Sequence, residues 1–362
     1  MSLMQQHHRT PRIGFLGLGW IGLQRMRAAV ESEQADVVAV ADTDARRCAE
    51  AIELAPSALL CTPETIYDLE LDGLVIATPS ALHAEQTIQA LRHGFATFCQ
   101  KPLGRSAPEV EEVLRVAERY DKLLAVDTCY RHVRAVQEAA DLLRSGRLGT
   151  VFAVELVFHN AYGPDKDWYY KKQSSGGGCV TDLGLHLVDL LLWLLDYPAV
   201  EMLHARTYRH GNPCRSPDDV EDFASAYFTL EDGVTVQLSC SWNLAAGQDA
   251  VIDASLYGTE GAVRIRNVHG SFYDFQSEHC VGTQRRLICA GADAWGGKAL
   301  SDWLQTLQHS SSFDPAVGQA LAVHEVLDRI HQAGITKHSS MQHTAAGPRV
   351  SAVSTRRAKV HL

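Results

Sequence analysis

Short apolar runs alternate with amphipathic segments along the first third of the chain. The runs are typical of buried strands, and the segments between them repeat apolar residues with the period of an α-helix. After a first apolar run before Gly17, the predicted strands are 37–41, 58–61, 74–78, 95–99 and 123–127, and the predicted helices are 20–32, 45–54, 81–93 and 108–120. This alternation predicts a doubly wound parallel α/β sheet, which binds ligands outside the carboxyl ends of its strands.

The pattern changes after residue 127. Longer segments in which apolar and polar residues alternate predict half-buried strands joined by turns. The predicted strands are 151–160, 200–209, 223–230, 234–242, 250–257 and 262–266, and the predicted helices are 132–145, 299–308 and 315–332. A polar, aromatic loop is predicted at 162–175, and the helix after it is apolar nearly all round, which indicates burial.

A Gly-x-Gly-x-x-Gly pattern, formed by Gly17, Gly19 and Gly22, stands between the first strand and the first helix. In a dinucleotide-binding unit these glycines allow the tight turn, the approach of the pyrophosphate and close packing of helix on strand. Trp20 and Ile21 open the helix, whose free N–H groups and dipole favour phosphate. The pattern predicts dinucleotide binding, and the alternative is an ordinary strand–turn–helix.

The second predicted strand ends in an acidic residue, Asp42, at a distance from the glycines that suits the adenosine ribose hydroxyls. Because this carboxylate would repel a ribose 2′-phosphate, we expect NAD(H) to be favoured over NADP(H). Arg46 and Arg47 lie close enough in the chain to weaken that preference.

Two further strand ends supply candidate site residues, at the Thr78-Pro79 turn and at Lys101. A residue before proline is disfavoured in the helical conformation, so Lys101 could be aimed into the crevice. The alternative is a solvated surface lysine. His83 follows the Thr78 turn and could face the cofactor, or it could be a plain helix-surface residue.

The predicted buried helix carries three ionisable residues, Asp182, His186 and Asp189, spaced at i, i+4 and i+7. This spacing predicts that they share one face of an α-helix. Ionisable groups on a buried helix are costly unless they are paired or used, so Asp182 and His186 are candidate functional residues. For Asp189 a structural hydrogen-bonding role is favoured.

The composition is that of a globular protein, with 46% hydrophobic and 21% charged residues. A formal net charge of −10 argues against nucleic acid or an anionic membrane as the main partner, and small molecules are favoured instead. The nine cysteines include no Cys-x-x-Cys pair, so neither a disulfide framework nor a metal site is predicted. No signal peptide and no stretch long enough to span a bilayer are expected, which fits a cytoplasmic location.

Taken together, the motifs between residues 12 and 195 resemble the Gfo/Idh/MocA oxidoreductase family. These motifs are the glycine pattern at 17–22, Ala77-Thr-Pro-Ser80 with Leu82-His83, Lys101-Pro102, Tyr130-Arg131, Trp168, Gly176-Gly-Gly178 and Asp182-Leu-Gly-Leu-His186. Several of them are generic when taken singly, but their order along the chain and the distances between them are specific.

The resemblance implies an N-terminal Rossmann domain and a C-terminal α/β domain with an open, mostly antiparallel sheet. We place the dinucleotide-binding domain at 10–130 and the substrate-binding domain at 131–335, and interpret 336–362 as a flexible tail. Because the C-terminal sheet often serves for oligomerisation in this family, a homo-oligomer, dimer or tetramer, is expected.

The resemblance also implies an NAD(P)-dependent dehydrogenase or reductase that acts on a secondary alcohol or ketone of a sugar, polyol or sugar derivative. His186 would be the acid/base, Lys101 would hydrogen-bond the reacting oxygen, and Asp182 would orient the substrate or the His–Lys pair. Tyr130 and Trp168 are candidates for contacts with substrate.

One position departs from the family pattern. The family usually has Glu-Lys-Pro where this chain has Gln100-Lys101-Pro102. Gln100 keeps the shape and the hydrogen-bonding ability of glutamate but removes a negative charge next to Lys101. It is retained as a candidate cofactor-binding residue.

Two other functions are compatible with the residues. A non-catalytic, nucleotide-binding sensor could use the same fold, although its catalytic positions would be free to drift and all three are present here. A metal-dependent hydrolase could use Asp182, His186 and His83, but no supporting ligand motif appears.

Overall fold

The computed structural model describes residues 10–335. Residues 336–362, for which the sequence predicted a flexible tail, lie outside the described residues.

The first structural unit is a six-stranded parallel sheet with helices on both faces. The strands follow the order β3-β2-β1-β4-β5-β6, the arrangement of two mononucleotide-binding halves that meet at β1 and β4. They are β1 (Arg12–Leu16), β2 (Asp36–Ala41), β3 (Leu59–Cys61), β4 (Gly73–Ile76), β5 (Ala96–Cys99) and β6 (Leu124–Val126), with helices α1 (Trp20–Ser32), α2 (Ala45–Leu54), α3 (Ser80–Arg92) and α4 (Ala107–Arg119). The predicted fold class is confirmed for this unit.

The second unit is a nine-stranded sheet in the order β15-β14-β13-β12-β7-β11-β10-β8-β9, parallel only between β7 and β11. The chain enters it through α5 (Arg134–Arg144) and the central strand β7 (Val151–Asn160). Its remaining elements are α6 (Lys172–Ser175), α7 (Leu185–Leu194), β8 (Val200–Arg209), β9 (Asn212–Pro213), β10 (Phe223–Leu230), β11 (Thr235–Ser241), β12 (Ala250–Gly258), β13 (Ala262–Asn267), β14 (Phe275–Val281), β15 (Gln284–Cys289), α8 (Lys298–His309) and α9 (Gln319–Gly334). The expectation of an open, mostly antiparallel sheet is confirmed.

The two sheets have separate hydrophobic cores. Helices α5, α7 and α9 pack on one face of the second sheet, where Val154, Leu156 and Phe158 of β7 are buried. Helix α8 instead belongs to the core of the first sheet, where Trp303 contacts Phe98 with ring centroids 5.8 Å apart. Helix α8, late in the chain, therefore packs on the first sheet. The predicted boundary between the two domains at residue 130 stays a prediction.

Several local predictions were wrong. The 162–175 segment is not all loop, because it contains a 3₁₀ turn at Asp167–Tyr170 and the short helix α6. The sequence analysis also missed the strands β9, β14 and β15. The β14–β15 hairpin is an edge with four consecutive exposed residues in β15, so it lacks the apolar alternation that marks a half-buried strand.

The helical region Lys172–Leu194 is long and apolar enough to span a bilayer by length and composition, contrary to the sequence expectation. Its apolar window is 78% buried inside the protein, packed against α9 and the second sheet. A central core helix is apolar for the same reason as a membrane span, since neither faces water.

Candidate active site

The glycine loop brings strand, loop and helix closer together than side chains would allow. Gly17 has φ +92°, and a Cβ there would lie 2.5 Å from the carbonyl carbon of Ala77, the residue directly after β4. A Cβ on Gly22 would lie 2.1 Å from the carbonyl oxygen of Gly17. These contacts fit the roles predicted for the first and third glycines.

Helix α1 begins at Trp20 directly after Gly19, which has extended backbone and no side-chain cap. Its first turn holds no acidic residue, so the N–H groups at this end and the helix dipole favour an anion. Trp20 is 65% exposed and Ile21 is part of the same turn. The residues present therefore fit a dinucleotide pyrophosphate.

Asp42 fixes the turn after β2 to the glycine loop. Its two carboxylate oxygens accept hydrogen bonds from the backbone N–H of Leu18 at 2.6 Å and of Asp44 at 2.9 Å. Each oxygen keeps further acceptor capacity for a ribose hydroxyl. Arg47 lies beside the loop, with Nη1 only 3.2 Å from where a Cβ on Gly19 would be.

His83 is buried rather than facing the crevice. Its Nδ1 lies 2.7 Å from the carbonyl oxygen of Pro102 and its Nε2 lies 2.6 Å from that of Thr78. Burial lowers the pKa of His83, and Lys101 contributes to the lowering. The ring thus connects the turn after β4, where Pro79 is exposed, to the turn after β5.

Lys101 and Asp182 form an ion pair between the two units. Lys101 Nζ donates to Asp182 Oδ1 at 2.8 Å and to the Asp182 carbonyl oxygen at 2.9 Å. The side chains are 19% and 18% exposed, so the pair is shielded yet reachable from the crevice. The second carboxylate oxygen, Oδ2, accepts from the indole N–H of Trp242 at 3.1 Å.

His186 lies in an aromatic pocket of the second unit. Its ring centroid is 4.7 Å from that of Tyr130 and 6.3 Å from that of Phe158. Burial lowers the pKa of His186 well below its ordinary value, and the charge of Lys101 adds to this. Burial likewise raises the pKa of Tyr130 well above its ordinary value. Both rings are therefore neutral near pH 7.

The helix that carries the three ionisable residues is not α-helical throughout. Val180–Gly184 form a π-helical turn, which carries more residues per turn than an α-helix. Asp182 pairs with Lys101, whereas Asp189 is held by Arg131, whose Nε donates to its Oδ2 at 2.9 Å. A structural role for Asp189 agrees with this contact.

Gln100 belongs to a buried polar cluster. Its amide N–H donates to Asp127 Oδ2, which also accepts from Arg25 Nε at 2.6 Å. Gln100, Asp127 and Arg25 are 5%, 1% and 4% exposed. The usual family residue at position 100 is a glutamate. In this chain the carboxylate at that place belongs to Asp127, which accepts from the Gln100 amide.

A second buried carboxylate anchors the helix that carries Asp182. Glu221 Oε1 accepts from the backbone N–H of Gly178 at 2.9 Å and of Val180 at 3.0 Å, with His331 Nε2 at 3.3 Å. Burial acts to raise the pKa of Glu221, but His331 and the other favourable contacts outweigh it and the pKa is lowered. The start of this helix is therefore held by a carboxylate from the segment that precedes β10.

Trp168 lies in an aromatic segment of the 3₁₀ turn Asp167–Tyr170. Its ring stacks on Tyr169 with centroids 3.8 Å apart, and Tyr169 and Tyr170 both pack edge-on against Trp242. The segment stands next to Asp182 through Trp242, in a position where it could contact a substrate.

Sequence reasoning missed Trp242, Glu221, Asp127 and Arg25. Trp242 was read only as the last residue of a strand, and Glu221 lies in an irregular segment with no motif. Asp127 follows a buried strand at the carboxyl edge of the sheet, like Asp42 and Lys101, and the strand-end rule would have found it.

Two family models match the chain. One, described as the oxidoreductase family with an NAD-binding Rossmann fold, matches residues 11–128, and the other, the GFO/IDH/MocA C-terminal domain, matches residues 136–264. Inositol 2-dehydrogenase of Rhizobium meliloti strain 1021 is 31% identical over 71% of this chain and 76% of that protein. The chain belongs to the GFO/IDH/MocA oxidoreductase family. It is accordingly an NAD(P)-dependent oxidoreductase, as the sequence predicted.

Solved structures of this family share the fold. A 3-ketoreductase from Actinomadura kijaniata, in complex with NADP and TDP-benzene, has a TM-score of 0.78 at 21% identity, covering 90% of this chain and 98% of that chain. Levoglucosan dehydrogenase in complex with NADH has a TM-score of 0.77 at 19% identity, covering 90% and 97%. The matching family model and the inositol 2-dehydrogenase relative are both described as oxidoreductases, and nothing supports the alternative of a regulatory sensor.

The metal-dependent hydrolase considered from the sequence would use His83 as a third metal ligand beside Asp182 and His186. Both ring nitrogens of His83 face backbone carbonyl oxygens, so His83 offers no free ligand atom beside Asp182 and His186. Within residues 10–335 no group of three or more His, Cys, Asp or Glu side chains is placed to hold a metal ion.

The buried cluster predicts the effect of restoring the usual family residue. An ionised glutamate at position 100 cannot donate to Asp127 and would set two buried carboxylates against the single Arg25. We expect Gln100→Glu to lower the free energy of unfolding by about 1–3 kcal/mol at neutral pH, measured by urea denaturation.

The matched control is Gln305→Glu, which makes the same chemical change at an exposed position of α8. We expect that variant to stay close to wild type. Equal stability of Gln100→Glu and wild type would contradict the charge arrangement described here.

Proposed function

We propose that Lys101, Asp182 and His186 catalyse hydride transfer between the nicotinamide of NAD(P) and a carbon that carries a secondary hydroxyl or keto group of a sugar, polyol or sugar derivative. The observation that carries the proposal is the shielded Lys101–Asp182 pair, which joins the dinucleotide sheet to the buried helix of the second unit. Nicotinamide supplies the site that accepts or gives the hydride when it is bound.

The residues proposed to hold the dinucleotide surround the carboxyl edge of the first sheet. The glycine loop and the start of α1 suit the pyrophosphate, and Asp42 suits the adenosine ribose. Thr78, Pro79 and Gln100 follow β4 and β5 on the side towards Lys101, and His83 supports both turns from inside.

The proposed catalytic roles follow from charge and burial. The Lys101 ammonium donates a hydrogen bond to the reacting oxygen and stabilises negative charge that develops there. Asp182 holds Lys101 through Oδ1. His186 is neutral, so it accepts the hydroxyl proton as the alcohol is oxidised, and general-base assistance of this kind is worth about 10²–10⁴-fold.

The substrate class rests on the relatives. Inositol 2-dehydrogenase and levoglucosan dehydrogenase act on a polyol and on a sugar derivative, as their names state. A neutral His186 and the Lys101 ammonium beside the reacting carbon would suit oxidation or reduction of any of these substrates. Trp168 and Tyr130 are proposed as substrate contacts, and we propose no finer identity.

For the cofactor we propose NAD(H) in preference to NADP(H). Asp42 lies where a ribose 2′-phosphate would meet its charge, and this observation supports the proposal. Related structures hold NADP in one case and NADH in the other, so the fold itself does not decide. Arg47, which lies beside Gly19, is the residue whose positive charge would favour a ribose 2′-phosphate.

We also propose a cytoplasmic homo-oligomer, dimer or tetramer, that associates through the second sheet. Among residues 10–335 the helices cover only one face of this sheet, and no described element covers the other face across β7, β8, β10 and β11. Tyr227 is 43% exposed on that face, beside Glu155, His204, Arg206 and Gln237. All nine cysteines are free thiols, which suits a reducing compartment.

The function is tested by nicotinamide turnover against polyols, sugars, sugar acids and sugar nucleotides, with NAD and NADP each supplied. We expect turnover in at least one class, and expect Lys101→Ala and His186→Ala to reduce kcat by about 10²–10⁴-fold while dinucleotide affinity is kept. Lys122→Ala, on the far side of the first unit, is the control. Near-wild-type turnover of either site variant would remove that residue from the catalytic set.

The cofactor preference is tested by direct binding. We expect wild type to bind NADH more tightly than NADPH by about tenfold, or ~1.4 kcal/mol. Asp42→Asn keeps one of the two acceptor oxygens that the backbone N–H groups use and removes the charge, so it should narrow the difference between the two affinities, and Arg47→Ala should widen it. Tighter binding of NADPH by the wild-type protein would overturn the preference.

The pH dependence follows from His186. Its pKa is lowered by burial, so the proton-accepting neutral form is present above that lowered pKa and is lost as pH falls through it. In the direction of alcohol oxidation we expect the acid limb of kcat/KM to lie well below pH 6.5. The contradicting result is an acid limb of the wild-type protein at pH 6.5 or above that is absent from His186→Gln. It would show that His186 is not held in its neutral form.

A further inference from the structure

Trp242 contacts the proposed catalytic carboxylate directly, and no motif of the sequence marks it. It follows β11, its side chain is 3% exposed, and its indole Nε1–H donates to Asp182 Oδ2 at 3.1 Å. Lys101 donates to the other oxygen, Oδ1, at 2.8 Å. The two oxygens of Asp182 are thus held by two different donors, one from each structural unit.

We propose that Trp242 is a positioning residue that fixes the carboxylate of Asp182 so that Asp182 in turn holds Lys101 at the reacting oxygen. The inference rests on the proposed function. A carboxylate rotates easily about its last torsion angle, and a lysine side chain is a flexible chain with a rotatable ammonium. One ion pair between two such groups does not define an orientation, whereas a second donor on the other oxygen does.

The indole is itself held firmly. The backbone N–H of Trp242 donates to the carbonyl oxygen of Asp222 at 2.7 Å. Tyr169 and Tyr170 pack edge-on against its ring, with centroids 6.2 Å and 5.6 Å away. Trp168 stacks on Tyr169, so the segment proposed to contact substrate packs on the residue that orients Asp182.

The test is Trp242→Phe, which keeps an aromatic ring but removes the N–H donor. We expect kcat to fall about 10- to 100-fold, the effect of losing one hydrogen bond to a charged group. The dissociation constant of the dinucleotide and the KM of the substrate should stay within about threefold, because the indole donates to Asp182 and not to the ligands.

Trp303→Phe is the matched control. Trp303 is also 3% exposed, but its Nε1 has no hydrogen-bond partner within residues 10–335. The two substitutions remove the same atoms, including the indole N–H, from equally buried sites, and only Trp242→Phe removes a hydrogen bond. We expect Trp303→Phe to leave kcat unchanged.

A double-mutant cycle with Asp182→Asn separates positioning from general damage. If Trp242 acts through Asp182, Trp242→Phe should cost little more once Asp182→Asn is present. An equal further loss in that background, or wild-type kcat in Trp242→Phe alone, would overturn the inference. If Trp242→Phe fails to fold, Trp242→Tyr fills more of the volume, still lacks the indole donor and is compared in the same cycle.

The inference and the proposed function fail in different ways. Absence of turnover on every substrate class would overturn the proposed function and this inference with it. Turnover that survives Asp182→Asn unchanged would remove Asp182, and therefore Trp242, from the mechanism. Turnover that depends on Asp182 but not on Trp242 would overturn the inference alone.

Discussion

The ion pair between Lys101 and Asp182 is the contact on which the site depends. It links a residue at the carboxyl end of β5 to one on the buried helix of the second unit, 81 positions later in the chain. Because both side chains are largely shielded, loss of either would leave a charge without water to replace its partner. The pair therefore requires that the two units keep their relative placement, and it sets the position of the ammonium at the crevice.

Other buried ionisable groups serve this placement. Arg25 and Asp127 fix the turn that precedes Lys101 through Gln100, and Glu221 fixes the start of the helix that carries Asp182. Each carboxylate accepts hydrogen bonds as well as facing a positively charged or titratable group, which is what makes a buried charge tolerable. The usual family glutamate is replaced here by Gln100, and the neighbouring Asp127 explains why an amide suits that position.

The proposed site combines one charged donor, Lys101, with one neutral base, His186. Lys101 is paired with a carboxylate, whereas His186 is surrounded by aromatic rings and lies near a positive charge, so its neutral form is favoured. In the proposed reaction the ammonium of Lys101 is the hydrogen-bond donor and the neutral ring of His186 is the proton acceptor. Trp242 donates to Asp182 and packs against Tyr169 and Tyr170, so it connects the Lys101–Asp182 pair to the aromatic segment Asp167–Tyr170.

The sequence, together with the family resemblance that its motifs carry, predicted the two-sheet architecture, the glycine loop and Asp42, because these depend on local periodicity, turn residues and motif spacing. It also proposed Lys101, Asp182 and His186 as site residues, and their roles stay predictions. Tertiary structure decided what those residues contact. Asp182 pairs with Lys101 while Asp189 pairs with Arg131, His83 is buried between two carbonyl oxygens, and Trp242 and Asp127 contact Asp182 and Gln100 from distant parts of the chain. Such contacts join positions far apart in the chain, and local periodicity and motif spacing carry no information about which distant side chains share one buried space.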